Sequence, residues 1–428
     1  MEKYYHQTDQ VLQEISTYFT NRLVPFWFNN CIDEKFGGYI TNFDETGNPM
    51  EINQKLIVPQ TRMIWAMSMY ALRFKNREKQ FLSAAKNGFD FFTKHFWDNE
   101  YKGWFWSVAR DGSLIDGAKI LYGQCFAIYA LSQYYLSSHD EKALEFACLS
   151  FDTLIKFATD SFNGGYYENM ERDWTICETG YAGGDRKSMD IYIHFIEALS
   201  VLFAASGEHI HKRKLEELLL LVNSKMIQKK QGCVFNQFDL AFNPIPAYYV
   251  KRTWNSDIER NRISSPPPDA VPFGYNVELA WLMNKATTIL RKPDGFYLNL
   301  TKKLVDYVLK YGFDNERGGI YYDGTHDGIV LRYDKEFWQN AELLIALLDM
   351  YEQTGLKKYI EAFFITWDFC KNFFINKNTG EWNQLVTKEG AVLIDELIVW
   401  RSAYHTSRSM MECIDRLTRI KAKHEKDE

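Results

Sequence analysis

The sequence predicts an (α/α)6 barrel, and three observations carry that expectation. A turn-and-aromatic phrase recurs six times, the stretches between its copies alternate between amphipathic and wholly apolar helical patterns, and neither terminal unit has the polar face that would cap an open array. The copies are FGGYITNFDETGN from Phe36, YKGWFWSVARDGS from Tyr101, NGGYYENMERDW from Asn163, QGCVFNQFDLAFN from Gln231, RGGIYYDGTHDG from Arg317 and TGEWNQLVTKEGA from Thr379. They recur at intervals of 61 to 87 residues, the widest falling in the fourth unit.

Each phrase holds a glycine able to take positive φ, then a short alternating aromatic run, then a second polar or glycine-bearing turn, which together read as a small β-hairpin. The second unit illustrates the helices. Leu82 to His95 repeats apolar residues at helical spacing, whereas Ala118 to Tyr135 is apolar on nearly every side. A helix apolar all round must be covered on both faces, so six such helices are expected inside and six amphipathic ones outside, as a closed double ring with six short β-hairpins near one mouth. At 428 residues the chain exceeds the usual single core, but a closed repeat spreads its core around a ring. One domain over residues 1–428 is therefore expected, its core between residues 11 and 417.

Composition narrows the function classes. The aromatic share of 16%, with 12 Trp and 26 Tyr, suits a polar cleft that stacks sugar rings, although an aromatic-rich core explains any one of them as well. A net charge of −6 with no basic face excludes a nucleic-acid partner. The N-terminal MEKYYHQTDQ lacks an apolar signal core and no apolar run is long enough to span a bilayer, so a cytoplasmic location without membrane attachment is expected. The seven scattered cysteines have no metal spacing and read as reduced and structural. No P-loop, GxGxxG, GxSxG or HExxH occurs, so no cofactor and no metal are expected.

If the hairpins precede the inner helices, the first turns of all six open on one mouth, where free N–H groups and loops collect. The polar residues at those starts are Arg62, then Tyr122 and Gln124, then Asp190 and His194, then Tyr275 and Glu278, then Trp338 and Glu342, and last Trp400, His405 and Arg408. Each has a duller reading: a lone His194 is commonly a hydrogen-bonded core residue, and Glu278 and Glu342 would serve equally as salt bridges between inner helices. Tyr404, His405 and Arg408 form a polar cluster, whereas Glu197 faces the outer layer and reads as structural. His209 and His211 are expected to lie in a solvated turn and not to bind a metal.

The six phrases, and KILYGQCFAIYALSQYY in particular, resemble the N-acylglucosamine 2-epimerase superfamily, most nearly its cellobiose 2-epimerases, from about Val11 to Leu417. The resemblance implies a sugar 2-epimerase or aldose–ketose isomerase that works at the reducing end of a mono- or disaccharide through an enediolate, as a monomer or homodimer. It implies substrate contact by Arg62, and it matches Asp190 and His194 to the family's third-helix Asn and His. Trp338 and Glu342 match its W-x-x-A-E phrase, and His405 its late catalytic His. The fourth-helix motif, Tyr-Gly-His-Asp-Ile-Glu in the family, stands here as Phe273-Gly274-Tyr275-Asn276-Val277-Glu278. Tyr275 thus replaces one of two acid/base histidines.

Epimerisation at C2 removes a proton from one face and returns one to the other, whereas aldose–ketose isomerisation moves a proton along one face and needs a single base. A free Tyr, with a pKa of about 10, is a poor base at neutral pH but a competent donor. His405 is therefore the expected base, with Tyr275, His194 and Glu278 assisting and with Arg62, Tyr122, Asp190, Trp338, Glu342, Trp400 and Arg408 binding substrate. Two other readings stay open: a glycoside hydrolase or lyase on the same barrel, and a sugar-binding protein without turnover. The long charged segment Lys251 to Pro272 is expected to lie over the site, with Ser264 to Pro268 extended and Trp254, Arg260 and Arg262 facing the sugar.

Overall fold

The computed structural model of the chain describes residues 2–247, 250–252, 266–393 and 401–427. Among these, twelve principal helices alternate between an outer and an inner layer. The outer helices are α1 (Glu2–Tyr18), α3 (Glu78–His95), α5 (Glu141–Ala158), α7 (His209–Leu221), α9 (Leu298–Tyr311) and α11 (Lys357–Phe369). The inner ones are α2 (Ile57–Arg73), α4 (Leu121–Ser138), α6 (Met189–Ser206), α8 (Phe273–Ile289), α10 (Phe337–Thr354) and α12 (Tyr404–Asp427). Each inner helix packs on the next around the circle and α12 returns to α2, which closes an (α/α)6 barrel. Among the described residues, the one helix apolar enough to resemble a membrane span is α6, and it is buried within the ring.

Helix boundaries differ from the sequence pattern in an instructive way. The second inner helix begins at Leu121 rather than Ala118, because Lys119–Ile120 first forms a two-residue strand paired with Asn169–Met170. The same arrangement recurs: the strand ahead of an inner helix pairs antiparallel with the hairpin of the following unit, as Lys55–Leu56 does with Ser107–Val108 and Lys335–Glu336 with Leu385–Val386. This pairing disposes of an exposed helix end. The first N–H of five of the inner helices is given to a carbonyl of the next hairpin, Ile57 to Trp106 at 3.0 Å, Leu121 to Glu168 at 2.8 Å, Met189 to Asn236 at 3.0 Å, Phe273 to Tyr322 at 3.3 Å and Phe337 to Gln384 at 3.0 Å. No side-chain cap is needed at these five starts.

Two further devices hold the hairpins. Two residues before four of the inner helices stands a buried lysine, and each pairs with an aspartate at the tight turn of its own unit: Lys55 with Asp33, Lys119 with Asp98, Lys187 with Asp160 and Lys335 with Asp314, at 2.7 to 3.0 Å. Burial depresses the lysines, Lys119 to about 8, while the ammonium partners help hold the aspartates low. The fourth residue of five of the inner helices clamps the peptide after the glycine turn: Gln60 at Tyr39, Gln124 at Trp104, Tyr192 at Tyr166, Asn276 at Val234 and Asn340 at Ile320. Gln124, one of the polar residues expected at the mouth, is thereby spent on structure, accepting from Trp104 N and donating to Trp104 O.

The segment Lys251 to Pro272 divides. Its end, Ala270–Pro272, is the strand that leads into α8 and pairs with Asp323–Thr325, so it belongs to the barrel framework. Its beginning is anchored at the rim, where Arg252 forks onto Asp116 at 2.7 and 3.3 Å. Trp254, Arg260, Arg262, Ser264 and Ser265 lie outside the described residues, as does Trp400.

Candidate active site

Because the inner helices all start at the hairpin end and rise about 1.5 Å per residue, position along a helix gives depth below the mouth. Tyr122, Asp190, Tyr275, Trp338 and His405 fall on first turns, Arg62, His194, Glu278, Glu342 and Arg408 one turn deeper, and Glu197 deeper again.

The floor is organised by Arg408. Its guanidinium donates to Glu197 Oε1 at 2.6 Å, to Glu278, and to Tyr404, and it stands 2.7 Å from Glu342 Oε1. Glu197 therefore faces inward, contrary to its expected place in the outer layer, because residues 194 and 197 are one turn apart and share a helix face. Glu342 also accepts from Trp281 Nε1 at 3.0 Å. Glu278, Glu342 and His405 bring ligand atoms within 4.8 Å of one another, the spacing of a metal site, but Arg408 already supplies positive charge between the two carboxylates.

Above the floor stand two imidazoles on opposite helices of the ring. His405 Nδ1 lies 2.8 Å from Glu342 Oε1 and His194 Nδ1 lies 3.4 Å from Glu197 Oε2. Their ring centroids are 6.5 Å apart with an interplanar angle of 64°. Among the described residues neither Nε2 has a hydrogen-bond partner. Burial, reinforced by Arg62 and Arg408, disfavours the imidazolium forms: His194 is pushed down to about 4 and His405 well below the ordinary imidazole range. Burial works to raise the Glu197 carboxyl, but Arg408, His194 and Tyr404 outweigh it and hold Glu197 ionised. Burial and the neighbouring carboxylate push Glu278 up, against the pull of Arg408, and burial raises Glu342 as well. Glu342 accepts from three donors and Glu278 from Arg408 alone, so the proton of this pair belongs on Glu278.

Arg62 differs from Arg408. Among the described residues its one hydrogen bond goes to the Tyr122 hydroxyl, at 3.1 Å, and it lies over the rings of Phe126 and Tyr404 at 4.4 and 4.6 Å. Among the described residues no carboxylate pairs with it, and its buried Nε lacks a partner. Tyr275 packs on Trp338 with centroids 5.6 Å apart, and Trp338 on His405 at 5.5 Å, forming a row across α8, α10 and α12. Tyr122, Asp190 and Tyr275 meet again at a small cleft of about 20 Å3 on the rim, joined there by Glu168 and Arg252. Glu168, Arg252, Trp281 and Phe126 were not singled out in the sequence; only three-dimensional adjacency brings them in.

Proton transfer beside a sugar carbonyl needs an unprotonated base and a cation for the enediolate, and the inner helices hold two imidazoles that burial keeps neutral together with the guanidinium of Arg62. The class is a carbohydrate epimerase or isomerase on an (α/α)6 barrel. The chain belongs to the N-acylglucosamine 2-epimerase (GlcNAc 2-epimerase) family, whose model matches residues 38–409. Among its relatives, a cellobiose 2-epimerase of Dictyoglomus turgidum is 29% identical, the match covering 94% of this chain and 98% of that one. A D-mannose isomerase of Marinomonas mediterranea is 25% identical over 93% of this chain and 95% of its own. The solved cellobiose 2-epimerase of Spirochaeta thermophila superposes with a TM-score of 0.84 at 26% identity, covering 97% of this chain and 98% of that one.

Proposed function

We propose that the chain takes the open-chain form of a reducing mono- or disaccharide aldose and lifts the C2 proton with His405, forming an enediolate. The observation that carries this reading is the His405–Glu342–Arg408 relay: Glu342, fully buried and held by Arg408 and Trp281, accepts from His405 Nδ1 and leaves Nε2 as the bare nitrogen. As His405 takes the proton, its new charge faces an ionised carboxylate 2.8 Å away. Arg62, a guanidinium without a carboxylate, is placed to stabilise the enediolate oxygen, the fixed positive charge that such a transition state needs. Trp338 and Tyr122 supply the walls, and Asp190 and Tyr275 the hydroxyl partners at the rim.

A glycoside hydrolase would need two carboxyl groups turned toward the sugar. Glu197, Glu278 and Glu342 instead converge on one guanidinium beneath the imidazoles. Turnover of a soluble sugar without a membrane or nucleic-acid partner, in the cytoplasm and by a monomer or homodimer, completes the reading. The test is exchange of the C2 proton with deuterated water, followed by NMR on cellobiose, mannose and glucose. Exchange is expected in the wild-type chain, and His405→Asn should slow it by at least about a hundredfold, the usual worth of a positioned general base. Exchange that persists at the wild-type rate in the variant would remove His405 from the mechanism.

A further inference from the structure

We infer that the principal reaction of this chain is aldose–ketose isomerisation, in which His405 lifts the C2 proton and returns it to C1 on one face while His194 carries a hydroxyl proton from O2 to O1. This rests on the enediolate reading above and decides between its two outcomes.

Geometry is the first support. A second base able to return a proton to the opposite face of C2 must approach that carbon from the far side, each nitrogen at a reacting distance of about 3 to 3.5 Å. With each imidazole nitrogen about 1.2 Å from its ring centre, a carbon held in line between two such nitrogens requires centroids roughly 8.5 to 9.5 Å apart. His194 and His405 are 6.5 Å apart and tilted by 64°. His194 therefore does not stand across C2 from His405. It stands beside it, within reach of an oxygen bonded to the same carbon. Among the described residues no third imidazole is a ring neighbour of either: His194 meets Tyr122, Phe126, Tyr404 and His405, and His405 meets His194, Phe337, Trp338 and Tyr404.

The fourth inner helix gives the second support. Its first turn offers Tyr275, whose ring lies against Trp338. A neutral phenol that protonated carbon would be left as a phenolate, an unfavourable product for a group with an ordinary pKa of about 10.

The proton inventory agrees. Epimerisation leaves the hydroxyl protons alone but requires one group to start protonated, so that it can deliver to the second face. Both imidazoles start neutral: each Nδ1 faces a carboxylate, and burial with two guanidiniums opposes a second proton on either ring. Isomerisation needs no such charge. The C2–H bond breaks with its proton passing to His405 Nε2, and the electron pair forms the C1–C2 double bond. The O2 hydroxyl gives its proton to His194 Nε2, which passes it to the negatively charged O1 of the enediolate. The proton on His405 then passes to C1 as the electron pair left on O2 closes the ketone. Protons and electrons balance without a co-reactant.

The experiment follows product order and label. Mannose, glucose and cellobiose, each deuterated at C2, are incubated with the full chain and sampled at low conversion by NMR and ion chromatography. The ketose is expected first, with the C2 epimer at least about tenfold slower and part of the deuterium recovered at C1 of the ketose. A C2 epimer that appears as fast as the ketose would overturn the inference while leaving the enediolate reading intact. Retention of all deuterium at C2 in every sugar, with no product, would instead overturn the enediolate reading itself. Tyr275→His supplies an independent check: restoring an imidazole on the fourth inner helix should raise the epimer-to-ketose ratio at least about tenfold. An unchanged ratio would refute the assignment of the missing second face to that position.

Discussion

His194 shows how much one buried side chain can set. It is neutral in the folded chain down to about pH 4, whereas an unfolded histidine titrates near 6.5. Between those values the unfolded state binds the additional proton, so stability is full above about pH 6.5 and is lost as pH falls toward 4. The loss attributable to this ring is up to about 3 kcal/mol, because a fully buried imidazole resists the proton that the unfolded chain accepts. Urea unfolding at pH 7, 5.5 and 4.5 should therefore show a smaller acid loss for His194→Gln than for the wild type; equal losses would place the titration elsewhere. The sequence made the first-turn and second-turn polar residues legible as polar positions on apolar helices, because such residues are costly there without a partner. It did not make Glu197 legible. Periodicity alone put that residue on an alternate face, whereas its spacing of three from His194 was the signal that placed both on one side. Nor could spacing tell that Gln124 would spend both ends of its amide on the Trp104 peptide.

At the level of elements, the hairpins were readable because glycine turns and alternating aromatics have fixed meanings, and the helices because their periods differ. The junctions were not readable. Whether a lysine two residues before an apolar helix is surface charge or a buried clip depends on an aspartate 21 to 27 residues upstream, and only the folded unit brings Lys187 to Asp160 at 2.9 Å with both side chains fully buried. Removing the lysine leaves the aspartate without its ion partner, so Lys187→Met should cost about 3 to 5 kcal/mol, as loss of one member of a buried pair does. The double change Lys187→Met with Asp160→Asn should recover part of that, since the stranded charge is gone. Thermal unfolding of the two variants checks the order; a double variant less stable than the single would contradict the clip. At five inner helices the next unit's carbonyl accepts the first N–H in place of a side-chain cap.

Across the whole molecule, α12 does two things at once. It returns to α2 and so completes the inner ring, with α1 packed against it from outside. It also carries Arg408, on which Glu197 from α6, Glu278 from α8 and Glu342 from α10 all converge. A chain ended at residue 400 should therefore lack a cooperative urea transition and near-ultraviolet dichroism, because its ring is open and three interior carboxyl groups have lost their shared cation. A sharp, single transition in that fragment would show that five inner helices suffice. During synthesis the same arrangement acts as a completeness check. Chains emerge at about 5 to 20 residues per second, so the N-terminal helix waits many seconds for the partner against which it will lie. Until then the acidic groups on three earlier helices repel one another and favour contact with water. A prematurely released polypeptide thus cannot pass as a finished one, since the residue that makes the interior chemically tolerable is delivered by the segment that shuts it.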